Sequence, residues 1–313
     1  MNDTSRQDDL GGLQLAIDIS AKSSIAKACR RMLFNHCYPR NLRDPFHVDV
    51  MYGAGTGILL KMKERFFVLT PHHVIRNNTL GAFQNESPFW INSTHPPRWE
   101  FPHGFLFPRR LYEIGPLVED DGSWTVNLAD IVLIELFLPV PPIYPSSFID
   151  LDAGDAPVVA KEQFFEGQLL LVNGYPHNIN GFQHYDEQVG EFTHSTDIRR
   201  HSIVGLCRLT NAEPVASLEM TTGRNEPADL DGMSGAVVSN VEFEASSVKW
   251  AGMALTAGHK LVRFIPAYLL VPAIRRYAEI APTTIDPASD IPSREPTDDE
   301  LREYREMFRE FRQ

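Results

Sequence analysis

Cysteine is scarce in this chain of 313 residues, which holds only Cys29, Cys37 and Cys207. An odd and widely spaced set of cysteines does not form a disulfide framework. The sequence also lacks CxxC pairs and the HExxH motif, so we predict neither a metal site nor a cofactor. Cysteines without a disulfide framework are typical of proteins from the reducing cytoplasm.

Long apolar runs, a secretory leader and an excess of basic residues are missing as well. No stretch reaches the roughly 18 apolar residues that span a bilayer. The amino-terminal residues MNDTSRQDDLGG lack the basic and then apolar pattern of a signal peptide. The formal net charge is −12, whereas a nucleic-acid-binding protein needs positive charge to neutralise phosphates. We therefore expect a soluble cytoplasmic protein with no nucleic-acid partner and no membrane contact.

Glycine and proline are plentiful by contrast, with 20 and 23 residues spread along the chain. This distribution favours short strands and turns over a helical bundle. Apolar runs predict strands, and two of them, 55–62 and 65–70, form a predicted hairpin with a Lys-Glu turn. The other predicted strands are residues 130–138, 168–176, 236–240 and 250–256. Prolines cluster after the first of these and predict a crossover between two domains.

Both ends of the chain carry helical patterns. Apolar residues recur at helical spacing over residues 24–34 and predict an amphipathic helix, with a strand as the alternative because the segment is short. Residues 1–12 are predicted to lack regular structure, and residues 282–298 to form a linker. A second helix is predicted from Thr297, which forms a capping-box pattern with Glu300. Its apolar stripe predicts docking on the chain's own core, with a homodimer or a regulatory partner as the alternative.

Three segments hold residue types that catalyse acyl transfer. A serine nucleophile needs a base within hydrogen-bond reach and a group that orients the base. His72 and His73 follow the apolar strand that ends at Thr70, and Asp130 precedes an apolar run in which an unpaired charge would be costly. Ser234 lies in DLDGMSGAVVSN, where flanking glycines permit the tight turn of an oxyanion site. Taken singly, each segment also fits a purely structural role.

Together the three segments resemble a known family. They occur in the order His, Asp, Ser, which is that of the chymotrypsin arrangement and differs from the orders of α/β-hydrolases and subtilisins. Over residues 48–275 the sequence resembles the trypsin-like serine peptidases of the PA clan, and most of all the bacterial cytoplasmic trypsin-like peptidase domain proteins, which lack disulfides. The NGYP turn at 173–176 and the AGMALTAG strand at 251–258 are further family-like features.

The resemblance implies a fold and a division of the chain. The expected fold is an all-β core, built as a chymotrypsin-like double antiparallel β-barrel with N-terminal and C-terminal helical extensions. Residues 1–40 would form the N-terminal tail and amphipathic helix, and residues 281–313 the linker and C-terminal helix. The first barrel would take residues 41–145 and the second barrel residues 146–280.

The resemblance also assigns roles to single residues. FVLTPHHVI matches the family pattern V-L-T-A-x-H-V with His73, and not His72, at the position of the general base. DIVLIEL matches the segment whose aspartate, here Asp130, orients that base. Ser234 would be the nucleophile, and the backbone amides of Gly232 and Ser234 would donate to the developing oxyanion.

The specificity pocket is less well defined by the family pattern. Its base falls at Ala228, which favours a small or medium apolar side chain in the substrate. An inward-facing Asp229 would favour Arg or Lys instead, and exposure of this aspartate to solvent is an equal alternative. The walls of the pocket would include Thr256, Ala257 and Gly258.

One position departs from the secreted members of the family. Those enzymes have an aspartate directly before the nucleophile, where it receives the new amino terminus after zymogen cleavage. In this chain Met233 takes that place, so another element must order the oxyanion turn. A partner, a ligand or the terminal extensions would do so.

The predicted function is that of a serine endopeptidase that cleaves protein or peptide substrates. Restricted specificity is expected, together with a gate that a partner or a ligand operates. The alternative is a catalytically silent barrel that acts as a binding or sensor module, although the intact His-Asp-Ser set argues against it. An esterase with the same triad is a third interpretation.

Overall fold

The computed structural model describes residues 4–35, 51–52, 55–78, 89–92, 103–106, 108–118, 127–139, 144–153, 157–180, 182–189, 192–196, 198–209, 216–220, 230–258, 261–281 and 283. Four helices lie in these ranges: α1 (Thr4–Lys22), α2 (Ser24–Ala28), α3 (His72–Asn78) and α4 (Ala267–Ile280). None of the described helices combines the length and the apolarity that a bilayer crossing demands. Most of the remaining described residues form antiparallel strands.

The first half of the chain forms a nine-stranded sheet. Its strands are β1 (Cys29–Asn35), β2 (Met51–Tyr52), β3 (Thr56–Met62), β4 (Arg65–Pro71), β5 (Phe89–Asn92), β6 (His103–Leu106), β7 (Pro108–Glu113), β8 (Ile131–Leu136) and β9 (Ile149–Asp150). The main path runs β6-β5-β1-β3-β4-β8-β7, with β2 on β1 and β9 on β3. The hairpin predicted between β3 and β4 is present, and its turn residues Lys63 and Glu64 both have positive φ, as a tight two-residue turn requires.

The second half forms a closed barrel in the order β10-β13-β14-β17-β16-β15. These strands are β10 (Leu169–Gly174), β13 (His201–Arg208), β14 (Ala216–Met220), β15 (Val237–Glu242), β16 (Ser247–Gly258) and β17 (Leu261–Pro266), and a separate hairpin consists of β11 (Phe182–Val189) and β12 (Phe192–Thr196). Val172, Val238 and Phe264 lie fully buried inside the barrel. Their alternation with outward-facing residues is the pattern expected of closed antiparallel strands.

One apolar core joins the sheet to the barrel. Phe67 of β4 and Ile134 of β8 are buried in the same cluster as Met253 of β16, Ile265 of β17 and Tyr277 of α4. A core of this kind lets strand ends from both halves meet along one cleft. Helix α4 contributes to it because it follows β17 directly and packs back on the first sheet.

A buried ion pair strengthens this contact between α4 and the first sheet. Arg65 Nε and Nη2 donate to the two carboxylate oxygens of Glu135 at 2.9 and 2.8 Å. The Tyr277 hydroxyl donates to Glu135 Oε2 at 2.8 Å, and burial together with the Glu135 charge raises the pKa of Tyr277, so it stays a donor. Arg65 Nη1 donates to the carbonyls of Ala278 and Ala281 at 2.9 and 3.3 Å. The cluster therefore ties the end of α4 to β4 and β8.

The amino-terminal helix α1 packs on the outside of the second barrel. Ala16 is fully buried against Leu171 of β10 and Val241 of β15. Ser20 Oγ lies 3.3 Å from Ser239 Oγ of β15, so both buried hydroxyls have a hydrogen-bond partner. These contacts attach the carboxyl-terminal half of α1 to the barrel.

The structure corrects two expectations for the amino-terminal segment. Helix α1 begins at Thr4, so residues 4–12 are helical and do not lack regular structure. The helix predicted over residues 24–34 ends at Ala28, because Cys29–Asn35 is strand β1 and pairs with β3 and β5. The linker predicted at 282–298, the C-terminal helix from Thr297 and Cys37 lie outside the described residues, except for residue 283.

Candidate active site

His73 and Asp130 are brought together by the pairing of β4 with β8. These strands are antiparallel with Pro71 opposite Ile131, so the residues that follow β4 face those that precede β8. Asp130 Oδ2 lies 2.7 Å from His73 Nδ1, and Asp130 Oδ1 accepts the backbone amide of His73 at 2.9 Å. A carboxylate only accepts, so Nδ1 carries the proton and Nε2 is the basic nitrogen.

The Asp130 carboxyl is kept ionised by its contact with His73. Partial burial of this carboxyl opposes ionisation, but the hydrogen bonds from the side chain and the backbone of His73 outweigh it. The net effect holds the pKa of Asp130 below its ordinary value. His72, by contrast, has its Nδ1 3.4 Å from Glu113 Oε1. Of the two histidines, His73 is therefore the one that Asp130 orients.

A pH-dependent stability should follow from the Asp130 contact. The pKa of Asp130 is lower in the folded chain than the ordinary value of 3.8, so its stabilising contribution is present above that value and is lost as the pH falls through the folded pKa. We expect Asp130→Asn to lower the free energy of unfolding at about pH 6 and to do so less at about pH 3. Urea unfolding at the two pH values measures the difference. An equal loss of unfolding free energy in Asp130→Asn at the two pH values would contradict this prediction.

Ser234 lies in a tight turn directly before β15, and two glycines make the turn feasible. Gly232 and Gly235 have φ of +91° and +86°. A Cβ at Gly232 would lie 2.7 Å from the Tyr175 carbonyl oxygen, and one at Gly235 would lie 1.9 Å from the Thr56 carbonyl oxygen. Both positions therefore require glycine for conformation and for close backbone approach.

The Ser234 turn packs against β3 and β4, and His73 follows β4 in the chain. The backbone amide of Thr56 in β3 donates to the Ser234 carbonyl at 3.1 Å. The Thr70 hydroxyl in β4 donates to the Thr56 carbonyl at 2.9 Å, and it would lie 3.1 Å from a Cβ at Gly235. Thr70 precedes His73 by three residues. His73, Asp130 and Ser234 therefore belong to one region between the sheet and the barrel.

The hydroxyl of Ser234 and the amide of Gly232 are both engaged within the chain. Ser234 Oγ donates to the Leu255 carbonyl at 3.1 Å, and a hydroxyl has a single proton to donate, so His73 is not its acceptor in this arrangement. The Gly232 amide donates to Oδ1 of the neighbouring Asp231 at 3.0 Å. The Ser234 amide has no acceptor among the residues that the structure describes.

Met233 anchors the turn through its burial. Its side chain is fully buried in the core of the second barrel, and its Sδ would lie 2.9 Å from a Cβ at Gly174. The flanking carbonyl of Asp231 accepts from the His177 amide at 2.6 Å. An apolar anchor and backbone hydrogen bonds thus hold this turn.

The residues predicted to form the specificity pocket are only partly described. Ala228 and Asp229 lie outside the described residues, and Asp231 is exposed. Thr256, Ala257 and Gly258 form the end of β16, where Thr256 and Gly258 are exposed and Ala257 is half-buried. Leu255, which accepts from Ser234, directly precedes them, so this strand end lies beside the Ser234 turn.

Sequence reasoning missed two residues of this region. Thr56 holds the turn from the first sheet, and the Leu255 carbonyl accepts from the Ser234 hydroxyl. Thr56 stands in no motif, and Leu255 lies in the AGMALTAG strand, but a buried threonine and a backbone carbonyl carry no sequence signal for these contacts until strand pairing places them. No group of three metal-ligating side chains occurs in the described part of the chain.

Comparison with known proteins shows the fold. No family model matches the sequence, and no curated protein matches it. Among solved structures, the human heparin binding protein, which has a trypsin-like fold, superposes with a TM-score of 0.50 and 12% sequence identity. The match covers 83% of this chain and 95% of that chain.

The chain has a chymotrypsin-like fold. This confirms the expected fold class, an all-β core of two antiparallel β units with few helices. At 12% identity the likeness shows the fold and carries no information on activity. The function must therefore be argued from the residues of the site.

Proposed function

We propose that the protein is a serine endopeptidase in which Ser234 is the nucleophile, His73 the general base and Asp130 the residue that orients the base. One observation carries the proposal: Asp130 bonds both Nδ1 and the backbone amide of His73. Two hydrogen bonds to one residue fix the tautomer and the ring together. The bond to the amide would also suit an aspartate that only caps α3, so the bond to Nδ1 is the decisive one.

The proposed reaction follows from this assignment. Ser234 Oγ attacks the scissile carbonyl as its proton passes to His73 Nε2, and the imidazolium is stabilised by Asp130. The amides of Gly232 and Ser234 donate to the oxyanion. His73 then protonates the leaving amine, and a water molecule, activated by the same imidazole, hydrolyses the acyl-enzyme.

A gate on this reaction is part of the proposal. Before attack, the Ser234 hydroxyl must rotate from the Leu255 carbonyl towards His73, and the Asp231 carboxylate must leave the Gly232 amide. The need for both rearrangements lowers the activity of the resting chain. It also limits activity to substrates or ligands that promote these rearrangements. The proposed regulators are a protein partner or a second copy bound through the helix predicted from Thr297.

A reducing compartment is proposed for this enzyme, as in the bacterial cytoplasmic proteins that the sequence resembles. Cys29 and Cys207 are both buried free thiols. Burial raises the pKa of each to about 11, so at neutral pH neither forms the thiolate that starts disulfide exchange.

A catalytically silent binding module is the second candidate. The bonds of Ser234 Oγ to Leu255 and of the Gly232 amide to Asp231 favour it, since both groups are occupied at rest. The human heparin binding protein is, by its name, a binding protein. Heparin itself is a poor ligand for this chain, because a polyanion is repelled by a formal net charge of −12. An esterase with the same triad differs only in the leaving group.

A fluorophosphonate probe separates the enzyme from the silent module. We expect the folded protein to be labelled once, on Ser234, because this reagent reacts with a serine that a neighbouring base activates. Mass spectrometry of the labelled peptide identifies the residue. Heat-denatured protein and Ser234→Ala serve as controls and should remain unlabelled. A folded protein that stays unlabelled after prolonged exposure would favour the silent module.

A further inference from the structure

Thr56 is a fully buried residue at the start of β3 in the first sheet, in direct contact with the Ser234 turn. Its hydroxyl donates to the Gly232 carbonyl at 2.9 Å and accepts the Tyr175 amide at 3.3 Å. Its own amide donates to the Ser234 carbonyl at 3.1 Å. One residue of the first sheet thus binds the carbonyls of both residues whose amides are the proposed oxyanion donors.

We propose that Thr56 is a positioning residue that sets the direction of the oxyanion donors. The inference rests on the proposed function and extends it to a residue outside the triad. Thr56 touches no reacting atom and acts through the peptide units that follow Gly232 and Ser234.

The Gly232 peptide needs hydrogen bonds from other residues, because glycine alone does not restrict the backbone dihedral angles. Gly232 has a φ of +91°, and a residue without Cβ rotates more freely than any other. The carbonyl before it, of Asp231, accepts from His177, and its own carbonyl accepts from Thr56. The Asp231 carbonyl shares a peptide plane with the Gly232 amide, and Thr56 holds the next peptide plane, so the two bonds together fix the backbone on both sides of the Gly232 Cα. Loss of the Thr56 hydroxyl removes one of these two hydrogen bonds.

Thr56 is itself well fixed. Its carbonyl accepts from the Thr70 hydroxyl at 2.9 Å, so β3 and β4 are locked together at the level of the turn. Strand β4 leads directly to His73. The distance between the proposed base and the oxyanion donors is therefore set through Thr56, and no other described side chain bonds to the Gly232 carbonyl.

The position calls for a side chain that is both donor and acceptor. A hydroxyl meets this demand, since it can donate to the Gly232 carbonyl while it accepts the Tyr175 amide. Serine keeps the same atoms. Valine keeps the volume but removes the hydroxyl. The Gly232 carbonyl and the Tyr175 amide then stay buried without this hydrogen-bond partner.

The test compares Thr56→Val, Thr56→Ser and wild type with p-nitrophenyl acetate as substrate. Loss of one oxyanion donor costs ~10²–10³-fold in rate, so we expect Thr56→Val, which only misdirects a donor, to lower kcat by about 10- to 100-fold. KM should change by no more than about twofold, because the oxyanion contact is made in the transition state. Thr56→Ser should restore most of the lost kcat. The rate of fluorophosphonate labelling should follow the same order.

Ser239→Ala is the matched control. Ser239 is another fully buried residue whose hydroxyl bonds to a side chain and to a backbone carbonyl, but it lies on β15 beside α1 and away from the cleft. We expect it to lower the free energy of unfolding about as much as Thr56→Val does, by roughly the cost of one buried hydrogen bond. Its kcat should remain that of wild type.

The outcomes separate this inference from the proposed function. Equal kcat and labelling rate for Thr56→Val and wild type would overturn the role of Thr56 and leave the proposed function standing. Equal losses of kcat in Thr56→Val and Ser239→Ala would overturn it too, since stability alone would then explain both. A wild-type protein that neither hydrolyses the ester nor takes the label would end both. Thr56→Ala gives the same comparison if the valine variant does not fold.

Discussion

Replacing Ser234 with alanine is expected to lower kcat/KM by about 10⁴-fold or more for any substrate that the protein hydrolyses, because triad residues act as a unit. Without Oγ no covalent intermediate forms, and the remaining activity comes from the oxyanion donors and substrate binding. The turn itself should keep its shape. Its positions are fixed by the buried Met233 and the backbone bonds of Thr56 and His177, none of which involves the Ser234 side chain.

The two neighbouring histidines provide the matched pair for this experiment. His73→Ala should cost nearly as much as Ser234→Ala, because it removes the group that Asp130 orients. His72→Ala should be mild, since His72 faces Glu113 at 3.4 Å and has no bond to Asp130. Initial rates on a panel of chromogenic peptides, with circular dichroism to establish folding, measure all three variants. A large loss in His72→Ala beside normal rates in His73→Ala would reverse the assignment.

The second large effect concerns stability and the Arg65–Glu135 pair. The Glu135 side chain is 2% exposed and that of Arg65 is 10% exposed. Arg110 Nη1 also lies 3.2 Å from Glu135 Oε2, so the Glu135 charge stays partly compensated when Arg65 is removed. Arg65→Met leaves buried acceptors without this charged donor, and we expect it to lower the free energy of unfolding by about 1–3 kcal/mol. It also deprives the carbonyls of Ala278 and Ala281 of their donor, so the end of α4 should loosen first.

A surface arginine serves as the control for the buried one. Arg208 bonds to Glu166 and Glu219 at 2.9 and 2.7 Å, but its side chain is 44% exposed. Exposed pairs contribute roughly 0–1 kcal/mol, so Arg208→Met should have little effect on stability. Urea unfolding of both variants gives the comparison. Similar losses in the two would show that the Arg65–Glu135 contact does not bind α4 to the sheet more strongly than a surface pair.

Much of the fold could be predicted from local pattern. The strands β3, β4, β8 and β10 are apolar runs bounded by turn residues, and the turn at Lys63 follows directly from the break between two such runs. The chymotrypsin-like arrangement followed from three short motifs in one order. His73 and Asp130 could be predicted as site residues because each stands next to a buried strand, where an unpaired polar side chain is energetically costly.

The rest depends on contacts between distant segments. Residues 25–34 have apolar positions that suit a helix, yet Met32 and Leu33 pair with Ile91 and Trp90 in a sheet, and this pairing overrides the local preference. Helix α1 was missed because its sequence is mostly polar and only a few residues, such as Ala16, are buried. The role of Thr56 could not be predicted either, since its partners are more than a hundred positions away.

The contact between the Asp231 carboxylate and the Gly232 amide has a consequence for substrate choice. If the Gly232 amide is an oxyanion donor, as proposed, this tethered carboxylate would compete for it at a high effective concentration. In the proposed mechanism an acyl substrate has to displace it. A lysine or arginine beside the scissile bond would offer this carboxylate a new ion-pair partner and draw it away from the amide. Recognition of such a sequence and release of the oxyanion site would then be a single event.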